Sequence, residues 1–257
     1  MLTVLSPAKT LDLDPVARTA TAPRWQDEAT RLARTARNLT LRDLRALMDI
    51  SDDLARLNRD RFRDFASDPA PDRTKPAVFA FAGDTYVGLD ARTLSDDDIA
   101  HAQDRLRLLS GLYGLLRPLD AIQPYRLEMG SRLHTRRGDT LYAFWGDRIA
   151  RALNSDAAAI GTDTLLNCAS TEYFAAADRP ALKLRVITPT FLEQKGGKQA
   201  IVSFFAKRAR GAMARFVIEN RLTDPADLRG FATGGYAFDP DQSTPDRPVF
   251  VRAAPAA

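Results

Sequence analysis

Four residues in this chain have the types and positions to carry acid–base or nucleophilic chemistry. Lys9 stands in the small-residue loop Ser6-Pro7-Ala8-Lys9-Thr10, which ends the apolar run Leu2-Thr3-Val4-Leu5. Arg126 and Glu128 are two apart in a stretch made extended by Pro124, so their side chains point to one face. Glu172 follows Ser170-Thr171 at the exit of a second apolar run, Thr164–Cys168. Brought together, the lysine supplies an electrophile or a Schiff-base amine, the arginine clamps an anion, and the glutamates exchange protons. Such a set suits an enzyme acting on a small substrate bearing a phosphate or a nucleobase. The alternative is plain: Lys9 as a solvated loop charge and Arg126–Glu128 as a surface pair.

A second set is suited to phosphate. Lys207, Arg208, Arg210 and Arg215 lie within nine residues of a helical segment read as 206–221, whose apolar positions are Ala209, Ala212, Met213, Phe216 and Val217. With only Glu219 to balance them, they form the densest basic cluster in the chain, either a solvated face or a polyanion contact. Near the middle, Leu108–Asp120 carries Gly111-Leu112-Tyr113-Gly114 followed by Leu115, Leu116 and Arg117. Two glycines three apart allow a tight turn whose amides can hold a phosphate, and they equally suit a connector between packed helices. Ile99, Ala102, Leu106 and Leu109 have helical spacing, which predicts a helix running into this turn. Pro118, four residues after Gly114, would interrupt or kink a helix leaving it.

The elements that must position these residues read as mixed α and β. Strands are expected at 2–5, 76–82, 164–168, 184–191 and 199–204, and the Lys195-Gly196-Gly197-Lys198 stretch signals a hairpin. Helices are expected over 24–48, with Thr40 as an internal cap, over 51–65, from Ser95, and over 139–153. The last strands, near 234–238 and 248–252, form a terminal hairpin. Neither a repeat nor a long linker divides the 257 residues, so they read as one α+β (mixed α/β) domain, a central mixed sheet surrounded by helices.

Composition narrows the function classes. The chain is 45% apolar and 27% charged, as in ordinary globular proteins. Its +4 net charge is mild, so only clustering argues for a polyanionic partner. Among the basic residues 31 are arginine and 6 lysine, a bias that a GC-rich genome also produces. The single Cys168 allows no intrachain disulfide and reads as a core residue, and two distant histidines give no metal-ligand spacing. No apolar run reaches the ~20 residues of a membrane span. A cytoplasmic protein is expected, with no cofactor, no dedicated metal site and no membrane contact.

Several segments jointly resemble the peroxide-stress-response YaaA family. They are Leu5–Asp12, Leu106–Asp120, Gln123–Gly130, Phe144–Asp147, Glu172–Phe174, Ala206–Gly211 and Ile218–Leu222, in order from end to end. The resemblance implies a fold peculiar to that family and a protein that limits iron-dependent damage under hydrogen peroxide. It further implies duplex DNA binding, without sequence preference, through a positively charged cleft and a helix-hairpin-helix-like element matched by Gly111–Gly114. On that reading the amides of Leu112, Tyr113, Gly114 and Leu115 hold phosphates while Arg117, Lys207, Arg208, Arg210 and Arg215 neutralise charge. Direct iron sequestration is disfavoured, because only scattered carboxylates are on offer and no Glu-x-x-His pair is present.

Overall fold

The computed structural model describes residues 1–253. At its centre lies β1 (Leu2–Leu5), buried along its whole length. It pairs in parallel with β2 (Leu106–Ser110) on one side, Leu5 opposite Leu108, and with β4 (Thr164–Cys168) on the other, Leu5 opposite Cys168. β3 (Gly114–Leu116) closes one edge antiparallel to β2, and β5 (Arg185–Ile187) closes the other parallel to β4, giving the order β3-β2-β1-β4-β5. Strands buried on both faces need continuous apolar runs, and parallel pairing needs long crossovers, which here are helical.

The crossover from β1 to β2 carries α1 (Gln26–Arg37), α2 (Leu41–Met48), α3 (Asp52–Asp64), α4 (Asp84–Leu89) and α5 (Asp96–Arg105). The expected internal cap at Thr40 divides the first of these from the second: its side chain accepts from the Asp43 amide while the Asp43 carboxylate accepts from the Thr40 amide. Ser95 and Asp98 make the same reciprocal cap for α5. Between β3 and β4 come α6 (Leu141–Trp145) and α7 (Arg148–Ala159), broken where Gly146 takes φ +50° rather than continuous as the sequence suggests. Predicted strand 76–82 is instead a buried helical turn, Ala77–Ala80, flanked by two-residue bridges.

A second sheet, β7-β6-β9-β8, is built from β6 (Thr190–Lys195), β7 (Lys198–Ala200), β8 (Ala237–Thr244) and β9 (Arg247–Ala253). Gly196 and Gly197 both have positive φ in the expected β6–β7 turn. Phe191, Phe231 and Phe250 fill its inner face. A single turn, α8 (Thr171–Phe174), follows β4, and α9 (Ser203–Glu219) follows β7 and lies across α4 with the two backbones in contact. A Cβ on Gly88 would sit 1.9 Å from the Arg208 carbonyl oxygen, and one on Gly211 would sit 1.8 Å from that of Thr85.

The turn at Gly111–Gly114 differs from expectation. The helix before it stops at Arg105, and Leu106–Ser110 and Gly114–Leu116 are antiparallel strands, so the element is a β-hairpin and not a helix-hairpin-helix. Leu112 and Tyr113 are wholly buried, and Leu115 is 2% exposed. The Tyr113 amide donates to Ser110 Oγ at 2.8 Å and that of Leu115 to the Tyr113 carbonyl. Both glycines answer to packing. A Cβ on Gly111 would lie 2.3 Å from the Leu127 carbonyl oxygen, and one on Gly114 2.7 Å from the Trp25 ring. Gly111, Leu112, Tyr113, Gly114 and Leu115 are therefore core, closed to DNA phosphates.

Candidate functional site

The chain leaves β1 toward β2 and leaves β4 toward β5, in opposite directions across the sheet. The crevice beyond the carboxyl ends of two such strands is where open parallel sheets hold ligands. Here the β1 exit, Ser6–Thr10, meets the β4 exit, Ala169–Thr171. Ser6 Oγ accepts from the Ser170 amide at 2.8 Å and lies 3.3 Å from Ser170 Oγ, while buried Tyr86 donates its hydroxyl to the Ser6 carbonyl at 3.1 Å. Ser170 Oγ in turn accepts from the Tyr173 amide, capping the helical turn that carries Glu172.

Over these exits opens a cavity of about 540 Å³, walled by Ser6–Thr10, the start of α4 at Gly83–Thr85, the β4 exit with Glu172, and Lys207 and Arg210 of α9. A wider hollow of about 730 Å³ adjoins it, with Lys9 and Glu172 lining both. Its other walls are α2, from Asp43 to Met48, and the loop Gly130–His134 beside Glu128. The structure thus brings Lys9, Glu128 and Glu172 to one cleft, with Arg126 behind them. Sequence reading had assigned those four to enzyme chemistry and Lys207 and Arg210 to DNA; the fold gives both sets to a single site.

The charges are arranged unevenly. Arg126 places Nε and an Nη 3.0 Å from Glu128 Oε1, and Lys9 Nζ stands 3.4 Å from the same oxygen. Glu128 Oε2 is buried with no hydrogen-bond partner. Lys9 is 65% exposed, so it is free to swing toward a ligand. Glu172 Oε1 accepts from the Gly130 amide at 3.0 Å, which ties the two rims together. Arg210 is half-buried and, among the described residues, has no carboxylate partner. Burial pulls its pKa down from the usual arginine value, although a guanidinium stays charged at neutral pH. The adjacent Cys168 thiol is pushed up to about 12 by burial and is neutral, so it does not compensate the arginine.

The remaining cations named from sequence fall elsewhere. Arg215 is structural: one Nη donates to the carbonyls of Leu89 and Asp90 and to Thr93 Oγ1 at 2.7–3.2 Å, and the other pairs with Glu219 at 2.8 Å. Those bonds satisfy the carboxyl end of α4. Arg117 pairs with Asp120 at 3.5 Å and lines neither hollow. Arg208 is exposed and faces a separate hollow with Phe205, Tyr236 and Arg252. Sequence reasoning missed Asp84, Thr85, Arg132 and His134 as cleft-lining residues. The only local signal for the first two was their place just after the Gly83 stop.

Comparison with known proteins decides the family. A sequence profile described as peroxide stress protein YaaA matches residues 1–242. The chain belongs to the peroxide stress protein YaaA family. It is 64% identical to a UPF0246 protein of Roseobacter denitrificans, covering 100% of both chains. A UPF0246 protein of Ruegeria pomeroyi is 63% identical over 98% of each chain, and one of Cereibacter sphaeroides 63% identical over 98% of this chain and 100% of its own. No helix among the described residues is long and apolar enough to cross a membrane.

Proposed function

We propose that this YaaA-family protein binds nucleic-acid phosphate in the cleft at the β1 and β4 exits, and that duplex DNA held there without sequence preference is protected under peroxide stress. The observation that carries the reading is Arg210: a half-buried guanidinium that, among the described residues, forms no ion pair, in one cavity with Lys207 and Lys9 at the mouth of a parallel sheet. Phosphate oxygens supply the missing countercharge, and the cations that bind them displace condensed counterions from DNA. Ferrous iron held on the backbone is one such counterion, so its displacement moves radical formation away from the bases. The hairpin takes no part, and Arg117 and Arg215 are left to their structural partners.

The salt dependence of duplex binding tests this. In Lys207→Ala/Arg210→Ala the slope of log affinity against log salt is expected to flatten by ~1 per lost phosphate contact. An unchanged slope removes α9 from the interface and with it this reading.

A second reading, an enzyme acting on a small phosphate- or nucleobase-bearing substrate, is favoured by Glu128. Three cationic donors converge on its Oε1 while its buried Oε2 has no hydrogen-bond partner, and the residue lines the wider hollow of about 730 Å³. In that case Lys9 and Arg126 hold the substrate anion and Glu128 exchanges a proton with it. Turnover of a phosphate ester that Glu128→Gln abolishes, with DNA affinity intact, would separate this reading from the first.

A further inference from the structure

α9 opens on three exposed apolar side chains within four residues, Ile201 at 60%, Val202 at 40% and Phe204 at 50% exposure. Exposed phenylalanine on a helix beside free cations is unusual enough to need an explanation. Phe204 precedes Lys207 by three residues and Arg208 by four, so all three share a helix face. Both cations are exposed and, among the described residues, neither pairs with a carboxylate. The neighbouring ring offers a direct contrast. Phe205 already carries the Arg252 guanidinium 4.2 Å over its face, whereas Phe204, half exposed, has a T-shaped contact with Phe205 at 5.2 Å between centroids and, among the described residues, no cation over its ring. One ring is covered and the other is open.

We propose that Phe204 is a stacking platform for a nucleobase lifted out of its helix, with the attached phosphates on Lys207 and Arg208 and the chain continuing toward Arg210. An open aromatic face beside uncompensated cations is the combination that single-strand binders use, because every base presents a π-face and every link a charge. Bases inside a duplex cover one another, so this platform serves only single-stranded or locally opened segments. A duplex meets this cleft only through backbone phosphates at its mouth, whereas the cavity beyond Lys207, at about 540 Å³, has room for one unstacked nucleotide. The inference rests on the phosphate-binding reading above and adds an unstacked base to the phosphates which that reading places in the cleft.

The test uses the full chain with a fluorescent oligothymidylate and with a blunt duplex of equal phosphate count, titrated by anisotropy at several salt concentrations. Phe204→Ala is expected to weaken oligothymidylate binding about tenfold, as loss of one stacked base does. Its salt slope should stay that of the unsubstituted protein, and Phe204→Trp should restore affinity. Unchanged oligothymidylate affinity in Phe204→Ala overturns the platform while leaving the phosphate reading intact. So does a shift in oligomeric state by sedimentation with affinity unaltered, which would mark the patch as a contact between copies. Failure of the unsubstituted protein to bind either probe overturns both.

Discussion

Two arginines, one within the central sheet and one at its strand exits, meet opposite circumstances. Arg107, on β2, is 5% exposed and fully answered: Nε donates to Asp156 Oδ2 at 2.7 Å, and an Nη to the carbonyls of Leu106 and Gln103. Arg24 joins the same carboxylate from the surface. Arg210, on α9, is half-buried and, among the described residues, forms no ion pair, although Asp84 and Glu172 line the same cavity. A buried charge without a partner is costly, so a fold retains one where a ligand completes it. The first arginine is architecture, and the second is an open valence.

The comparison breaks most directly at Asp156. Asp156→Ala leaves Arg107 in the condition of Arg210, and should cost about 3–5 kcal/mol in a denaturant titration. A silent substitution would mean that this interior tolerates unpaired guanidinium anywhere, and Arg210 would lose its significance.

A third buried cation sharpens the same rule. Lys75 is 5% exposed and donates to the Asp12 carboxylate and carbonyl, both at 2.9 Å. Hydrogen bonds from Lys75 and Arg92 hold the Asp12 carboxyl well below the usual carboxylate range. A depressed folded-state value contributes stability that is complete above the unfolded pKa near ~3.9 and lost as pH falls through the folded one. Asp12→Asn should therefore cost about 2 kcal/mol at pH 7 and remove part of the acid sensitivity between pH ~4 and ~2. Equal acid sensitivity in both proteins would contradict the pairing.

The smallest expected effect has the opposite sign. Arg210→Met removes a charge that burial disfavours and keeps the apolar stem, so stability should rise by ~0.5–1 kcal/mol while affinity for DNA falls. A loss of stability would show that Arg210 already has an internal role.

Much of the fold was legible locally. β1 and β4 stood out as apolar runs between turn residues, Thr40 as a capping residue type inside a helical stretch, Ser95 by Asp98 three residues on, and the β6–β7 turn by its paired glycines. Leu106–Ser110 was misread because a strand buried on both faces has no alternation, and its leucines also satisfy a helical stripe. That error carried the hairpin with it. Gly111 is required by the Leu127 carbonyl, which arrives from outside the motif, so glycine spacing alone says nothing about amide exposure.

The site was legible as residues but not as a place. Lys9, Glu128, Glu172, Lys207 and Arg210 were each visible by type, yet the contact that gathers them, Ser6 to Ser170, spans 164 residues. Strand order, which no local pattern encodes, decides that those two exits are neighbours.

The glycine contacts between α4 and α9 bear on timing as well as shape. With Gly88 against the Arg208 carbonyl and Gly211 against that of Thr85, the two helices cannot slide apart without breaking backbone contact. One carries Asp84 and Thr85, the other Lys207 and Arg210, so these parts of the cleft lining are fixed relative to one another. A ligand entering it waits for no closure. On the proposed phosphate reading, encounter is governed by diffusion and charge, with an on-rate that falls steeply as salt is added, while the dwell time records how well the phosphate spacing fits walls held at fixed distance.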